Sequence, residues 1–157
     1  MLEPSSYADL GPYLQILQMI KRAVILVDES GKILGLNKSA LDQLDYREEE
    51  AREKTILEIN PHYTILSWRK IWRSLQKEGS FQEEDTEFIS SHDVVYPVHT
   101  NITLLDTGEH QLACIIVENK LETDRYRDLL DITTQLSRIG CWELDFINRK
   151  AIITEEA

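Results

Sequence analysis

The sequence predicts an α+β fold: a five-stranded antiparallel sheet with helices on one face, plus flanking N- and C-terminal helices. Three observations carry this. Two apolar runs, Ala23–Val27 and Ile33–Leu36, flank the turn signal Asp28-Glu29-Ser30-Gly31. Tyr63–Lys77 has an apolar stripe of helical period. Between Ser80 and Val117, three strand-like segments are separated by Ser91-His92-Asp93 and Asp106-Thr107-Gly108-Glu109. A strand pair, then helices, then a run of strands joined by tight turns fits an antiparallel sheet better than parallel strands with helical crossovers.

Taken in order, residues 1–12 contain Pro4, Ser5, Ser6, Gly11 and Pro12 and are expected to be loose or partly helical. From Tyr13 to Arg22, Leu14, Leu17 and Ile20 fall on one helical stripe with Ile16 beside it, and Lys21 and Arg22 suit the negative end of a helix dipole. That stripe either packs on its own domain or forms a dimer seam; the segment is too short for three heptads. The first strand pair turns at Gly31, which tolerates positive φ. Asn37 precedes the helix-period segment Lys38–Leu44 and can cap it by accepting a first-turn N–H. Arg47–Glu58 should hold two short helical turns, with Glu48-Glu49-Glu50 as a solvated face and Pro61 as a stop.

In Tyr63–Lys77, Ile65, Trp68, Ile71, Trp72 and Leu75 share one face, Arg69, Lys70, Arg73, Gln76 and Lys77 the other, and Gly79 ends the helix. Such a basic amphipathic helix can lie on a membrane, but the neighbouring strands offer its apolar face a partner. Pro97 cannot donate to a ladder and marks an edge or a bulge near the start of Val94–Leu105. With a two-residue turn at Thr107-Gly108, Ile102 would face Ala113, Thr100 would face Ile115 and Val98 would face Val117.

The succession strand, Asp-x-x-Gly turn, strand, Asn37-x-x-Ala40-Leu41, then Leu44-Asp45-Tyr46-Arg47-Glu48-Glu49-Glu50 and Ile56-Leu57-Glu58-Ile59-Asn60-Pro61, resembles the first half of a PAS domain. It differs at Glu53, where that family often carries glycine between two short helices. The long helix and three later strands extend the resemblance to about Lys120. Glu118-Asn119-Lys120-Leu121-Glu122-Thr123 stands where the family often has an Asp-Ile-Thr exit motif, with Asn119 in the Asp position. A helical stretch, Arg125–Arg138, carries Tyr126, Leu129, Leu130 and Leu136. Ile139-Gly140-Cys141-Trp142-Glu143-Leu144-Asp145 then resembles the opening of a second PAS domain. The expected layout is an N-terminal flexible segment and helix (1–22), a PAS domain (23–120), a linker helix (121–138) and the truncated start of a second PAS domain (139–157), in a fragment of a longer protein.

Composition narrows the function. A net charge of −11 argues against general binding to nucleic acid or anionic membranes, whose phosphates would repel the chain. No apolar run approaches the ~18–20 residues that span a bilayer, and MLEPSSYADLG has no signal-peptide pattern. Cys114 and Cys141 are far apart and make neither a metal spacing nor a disulfide framework, which fits a reduced cytoplasmic setting.

No catalytic motif is present: there is no Gly-rich phosphate loop, His-Glu-x-x-His or Gly-x-Ser-x-Gly. His62, His92, His99 and His110 are dispersed, and no metal site is expected. His62 alone stands near where some PAS domains ligate haem; the plainer reading is a surface loop histidine. A flavin photoadduct would need a helical cysteine, and residues 37–77 contain none. An enzyme would need converging ionisable groups, and only His99 and Asp85 offer themselves, both better read as outward-facing.

Candidate pocket residues between sheet and helices are Leu26, Leu36, Leu41, Leu44, Ile56, Ile59, Leu66, Trp68, Trp72, Thr100, Ile102 and Ile115. They either close-pack as core or line a small-molecule site, for which Thr100 is the one obvious polar group. The resemblance implies a sensory and dimerisation module of a cytoplasmic signalling protein, with no cofactor as the first expectation and a haem- or flavin-bearing redox or gas sensor as the alternative. A homodimer is expected. The effector domain outside this chain would be a histidine kinase, a transcription activator of the enhancer-binding ATPase type or a cyclic-di-GMP enzyme.

Overall fold

The computed structural model describes residues 10–137, 142–145 and 150–153, with side chains over 10–130. The elements are α1 (Gly11–Gln18), β1 (Ala23–Val27), β2 (Ile33–Leu36), α2 (Lys38–Leu44), α3 (Glu48–Glu53), α4 (Ile56–Ile59), α5 (Ile65–Glu78), β3 (Ser80–Ile89), β4 (Val95–Asp106), β5 (Gln111–Asn119), α6 (Lys120–Ser137), β6 (Trp142–Asp145) and β7 (Lys150–Ile153). The chain divides into two compact units, Met1–Lys120 and Leu121–Ala157.

In the first unit, five antiparallel strands form one sheet in the order β2-β1-β5-β4-β3. β5 is its central strand, flanked by β1 and β4, and every residue of β1 is buried. Alternation sends Ala23, Ile25 and Val27 to the face covered by α2–α5, and Val24 and Leu26 to the opposite face with Leu17. Each face has its own apolar cluster. The helix-side cluster is the larger and includes Leu44, Ile56, Ile59, Trp68, Trp72 and Leu75. In the second unit, α6 is followed by β6 and β7, an antiparallel pair running from Trp142↔Ile153 to Asp145↔Lys150.

The turns follow their chemistry. Gly31 sits at φ +83°, and Asp28 Oδ1 accepts from Ser30 N and Lys32 N, closing the β1–β2 turn. Asn37 accepts from Ala40 N at 3.0 Å, capping α2. Thr64 caps α5, accepting from Ser67 N at 3.1 Å. Gly79, at φ +82°, ends α5 by donating to Leu75 O. Pro97 lies where β4 pairs with β3 but precedes the first residue paired to β5, so β4 is locally an edge there.

Three expectations change. The first helix is Gly11–Gln18 rather than Tyr13–Arg22. Pro12 is tolerated in its first turn. At the end of the helix the carbonyl of Leu17, and beyond it those of Ile20 and Arg22, accept from Asn37 Nδ2, and Lys21 and Arg22 lie outside the helix. The β4–β5 turn has four residues, with Thr107 N donating to His110 O and Asp106↔Gln111 as the last pair. Ile102 therefore faces Ile115, Thr100 faces Val117 and Val98 faces Asn119. The slip is two residues, so the same side chains still share one sheet face. Ile65, placed on the buried stripe by its spacing, is exposed in the first turn of α5. Residues 1–9 of the segment 1–12 expected to be loose, residue 138 of the expected linker helix, and residues 139–141, 146–149 and 154–157 of the expected second domain lie outside the described residues.

Candidate functional site

The structure divides the candidate pocket residues. Leu36, Leu44, Ile56, Ile59, Trp68, Trp72, Ile102 and Ile115 all lie in the helix-side cluster, with Leu41 partly buried against it. Thr100 is buried on β4 between Val98 and Ile102 along the same face. Leu26 does not line this space: it is buried on the other sheet face with Leu17 and Val24. An all-apolar strand gives no sequence signal for which alternate side chains face the helices. Leu66 is 70% exposed, because the inward stripe of α5 runs Trp68, Ile71, Trp72, Leu75, and Leu66 lies two residues off it. Of the seam candidates, Leu17 is buried against Val24 and Leu26, Leu14 is partly buried, and Ile20 is exposed.

What the apolar list missed is a polar cluster beneath α5. The Asn60 amide donates to Thr86 Oγ1 at 2.7 Å, and both side chains are buried. Asn60 Oδ1 accepts from His62 N, which turns the chain into α5. The Tyr63 hydroxyl donates to Glu83 Oε2 at 2.8 Å. Glu83 lies opposite Thr100 in the β3–β4 ladder, and between Glu83 and Thr86 the register shifts, a bulge that re-aims β3 beside the cluster. Burial raises the Tyr63 phenol well above the usual tyrosine range, and the Glu83 carboxylate adds to this; Thr100 and Asn60 stand near enough to offset part of the shift. Yet the Thr100 hydroxyl makes no hydrogen bond among the described residues, nor does the buried Tyr96 hydroxyl further along β4. Burial pushes the Tyr96 phenol up to about 12.

Sequence could have pointed to this cluster at Thr86, a small uncharged residue inside the acidic run Glu83–Glu87. Asn60 and Tyr63 were masked by their place beside Pro61, where turn chemistry explains them equally well.

The histidines do not enter the core. His62 is 58% exposed and its Nε2 lies 2.8 Å from Glu87 Oε2, so it stands on the surface and does not fit a haem ligand. His92 Nδ1 lies 2.8 Å from the exposed Asp45 carboxylate. Among the described residues no group of three or more His, Cys, Asp or Glu could hold a metal ion. Cys114 is half-buried on the sheet face opposite α5, and burial raises its thiol. No helix among the described residues is long and apolar enough to cross a membrane.

Comparison with known proteins agrees with this architecture. No curated protein matches the chain. A PAS domain from a two-component sensor histidine kinase shares the fold with a TM-score of 0.59 at 14% identity, over 73% of this chain and 98% of that one. The PAS domain of an HTR-like protein from Haloarcula marismortui gives a TM-score of 0.62 at 10% identity, over 73% and 94%. The PAS domain of nitrogen regulation protein NR(II) from Vibrio parahaemolyticus gives 0.56 at 14% identity, over 68% and 96%. The family model described as the PAS fold matches residues 12–118 and does not reach the β6–β7 pair, so the reading of 139–157 as a second PAS domain draws no support from it. With that match spanning more than half its length, the chain belongs to the PAS family.

Proposed function

We propose that this chain is a ligand-responsive dimerisation module of a cytoplasmic signalling protein, and that it passes its state through α6 to an effector of the histidine kinase or transcription-regulator class. The observation that carries the ligand reading is the polar cluster of buried Asn60, Tyr63, Thr86 and Thr100 with the half-buried Glu83, the Thr100 and Tyr96 hydroxyls having no hydrogen-bond partner among the described residues on the same sheet face. Buried polar groups cost stability unless bonded, and a small ligand bearing a donor or acceptor would satisfy them. The relay reading rests on position. α6 begins at Lys120, directly after β5, and Lys120 Nζ pairs with Asp85 of β3. Ligand binding would shift a two-state equilibrium only by its differential affinity for the two arrangements. Residues 139–157 are read as the opening of a following domain on sequence resemblance alone.

Native mass spectrometry of the purified chain, with an absorption spectrum of the same sample, tests both parts. A dimer carrying a bound mass that Thr100→Val removes is the expected result. An apo monomer at tens of micromolar would overturn the dimer and ligand readings together, and a Soret or flavin band would identify a chromophore sensor instead.

A further inference from the structure

A second feature lies outside that interior cluster. An open cleft of about 1290 Å³ runs between one flank of α5, the β1–β2 turn and the β4–β5 turn. From α5 it is lined by Arg69, Trp72, Arg73 and Gln76, which are spaced i, i+3, i+4, i+7 and so form one stripe. The cleft also receives Lys32, just before β2, and Arg52 from α3. Its four cations, Lys32, Arg52, Arg69 and Arg73, outnumber the lining carboxylates Asp28, Glu29 and Glu109 by one, on a chain whose net charge is −11.

The carboxylates nearby leave the two α5 arginines unpaired among the described residues. Asp28 is held by its own turn, accepting from Ser30 N, Ser30 Oγ and Lys32 N. Glu29 and Glu109 are exposed lining residues, and His110 lies beside them. Arg52 pairs with Glu48 at 2.6 Å. Among the described residues neither Arg69 nor Arg73 makes an ion pair. The walls are tied in place: Trp68 Nε1 donates to Glu29 O at 2.9 Å, and Gln76 Nε2 donates to Gln111 Oε1 at 3.3 Å. A second, independent observation points to a ligand. Trp72 lines the cleft while only 4% exposed, and its buried indole N–H has no acceptor among the described residues.

We propose that this cleft binds a small organic oxyanion, a phosphate ester or a di- or tricarboxylate, clamped by Arg69 and Arg73, with an oxygen accepting from the Trp72 indole. Two guanidinium groups one helical turn apart suit the several oxygens of such a group, and an acceptor for the indole gives orientation that a charged surface alone lacks. The site does not depend on the interior cluster and can be tested apart from it.

The test is a titration of the full ¹⁵N-labelled chain with citrate and, separately, glycerol 3-phosphate, following the Trp72 indole N–H signal, with sodium chloride matched throughout. Saturable movement of that signal with one probe is expected, and the responding probe distinguishes carboxylate from phosphate. At least a tenfold weakening is expected in R69A/R73A, whose replaced side chains are exposed, and no change in K70A, which lies off the stripe. No saturable shift with either probe, or an unchanged affinity in R69A/R73A, would overturn the proposal. An equal shift with chloride alone would overturn it too.

Discussion

The side-chain amide of Asn37 donates to the Arg22 carbonyl at 2.7 Å, across the gap between the end of the N-terminal segment and the first turn of α2. The same amide donates to Leu17 O and Ile20 O, while its oxygen accepts from Val24 N and Ala40 N. One residue that is 1% exposed thus caps a helix, holds the edge of β1 and fastens α1 to the sheet. Asn37→Ala should destabilise the domain by about 3 kcal/mol, combining the loss of a cap with buried backbone groups left unpaired. Asn37→Asp is the sharper variant. Aspartate caps helices as well as asparagine does, but here its second oxygen would face three carbonyls. Urea unfolding should therefore rank Asp no better than Ala; an Asp variant as stable as wild type would sink this account of the amide.

Gly35 and Leu14 are coupled in the same region. A Cβ on Gly35 would overlap Leu14 Cδ2, so the present packing of Leu14 onto β2 uses the space of the missing side chain. Gly35→Ala should cost about 1–3 kcal/mol through overpacking. Adding Leu14→Ala should recover part of it, giving a coupling above about 0.5 kcal/mol in a double-mutant cycle. Strictly additive effects would mean that α1 moves off the sheet freely.

Tyr63 and Tyr96 predict alkaline instability. Both phenols titrate higher when folded than the usual tyrosine value of about 10. The folded chain therefore holds protons that the unfolded chain gives up. The stability they contribute is complete below about pH 10 and is lost as pH rises beyond it, at up to about 1.4 kcal/mol per pH unit for each group. Tyr63→Phe should be less stable than wild type at neutral pH by about 1 kcal/mol, having lost the bond to Glu83. Its stability should then fall less steeply between about pH 10 and 11. Denaturant midpoints across that range check the sign, and parallel slopes would show that Tyr63 ionises freely.

Where sequence and structure agree or part follows from how local each signal is. Gly31, Asn37 and Gly79 occupy the turns and caps their chemistry demands, since these depend on a few neighbouring residues. The β4–β5 pairing depends on a turn length that Thr107-Gly108 does not specify, and it shifted by two residues. The facing of β1 was unreadable because Ala23–Val27 is apolar throughout and buried on both sides. The polar cluster was hidden for another reason. Asn60, Tyr63, Glu83, Thr86 and Thr100 come from a helix end, a loop and two strands, and only the folded sheet with its β3 bulge gathers them.

Leu66 and Ile102 provide a direct comparison of the two assignments. Both are apolar and both were expected beside the pocket, yet Leu66 is 70% exposed and Ile102 fully buried. Ile102→Ala should cost about 2–5 kcal/mol, the transfer term plus the cavity left between β4 and the helices. Leu66→Ala should stay within about 0.5 kcal/mol, as surface substitutions do. Thermal and urea unfolding of the two variants decide this. If Leu66→Ala were as damaging as Ile102→Ala, then Leu66 is covered in solution, and concentration-dependent stability would show whether a second copy of the chain covers it.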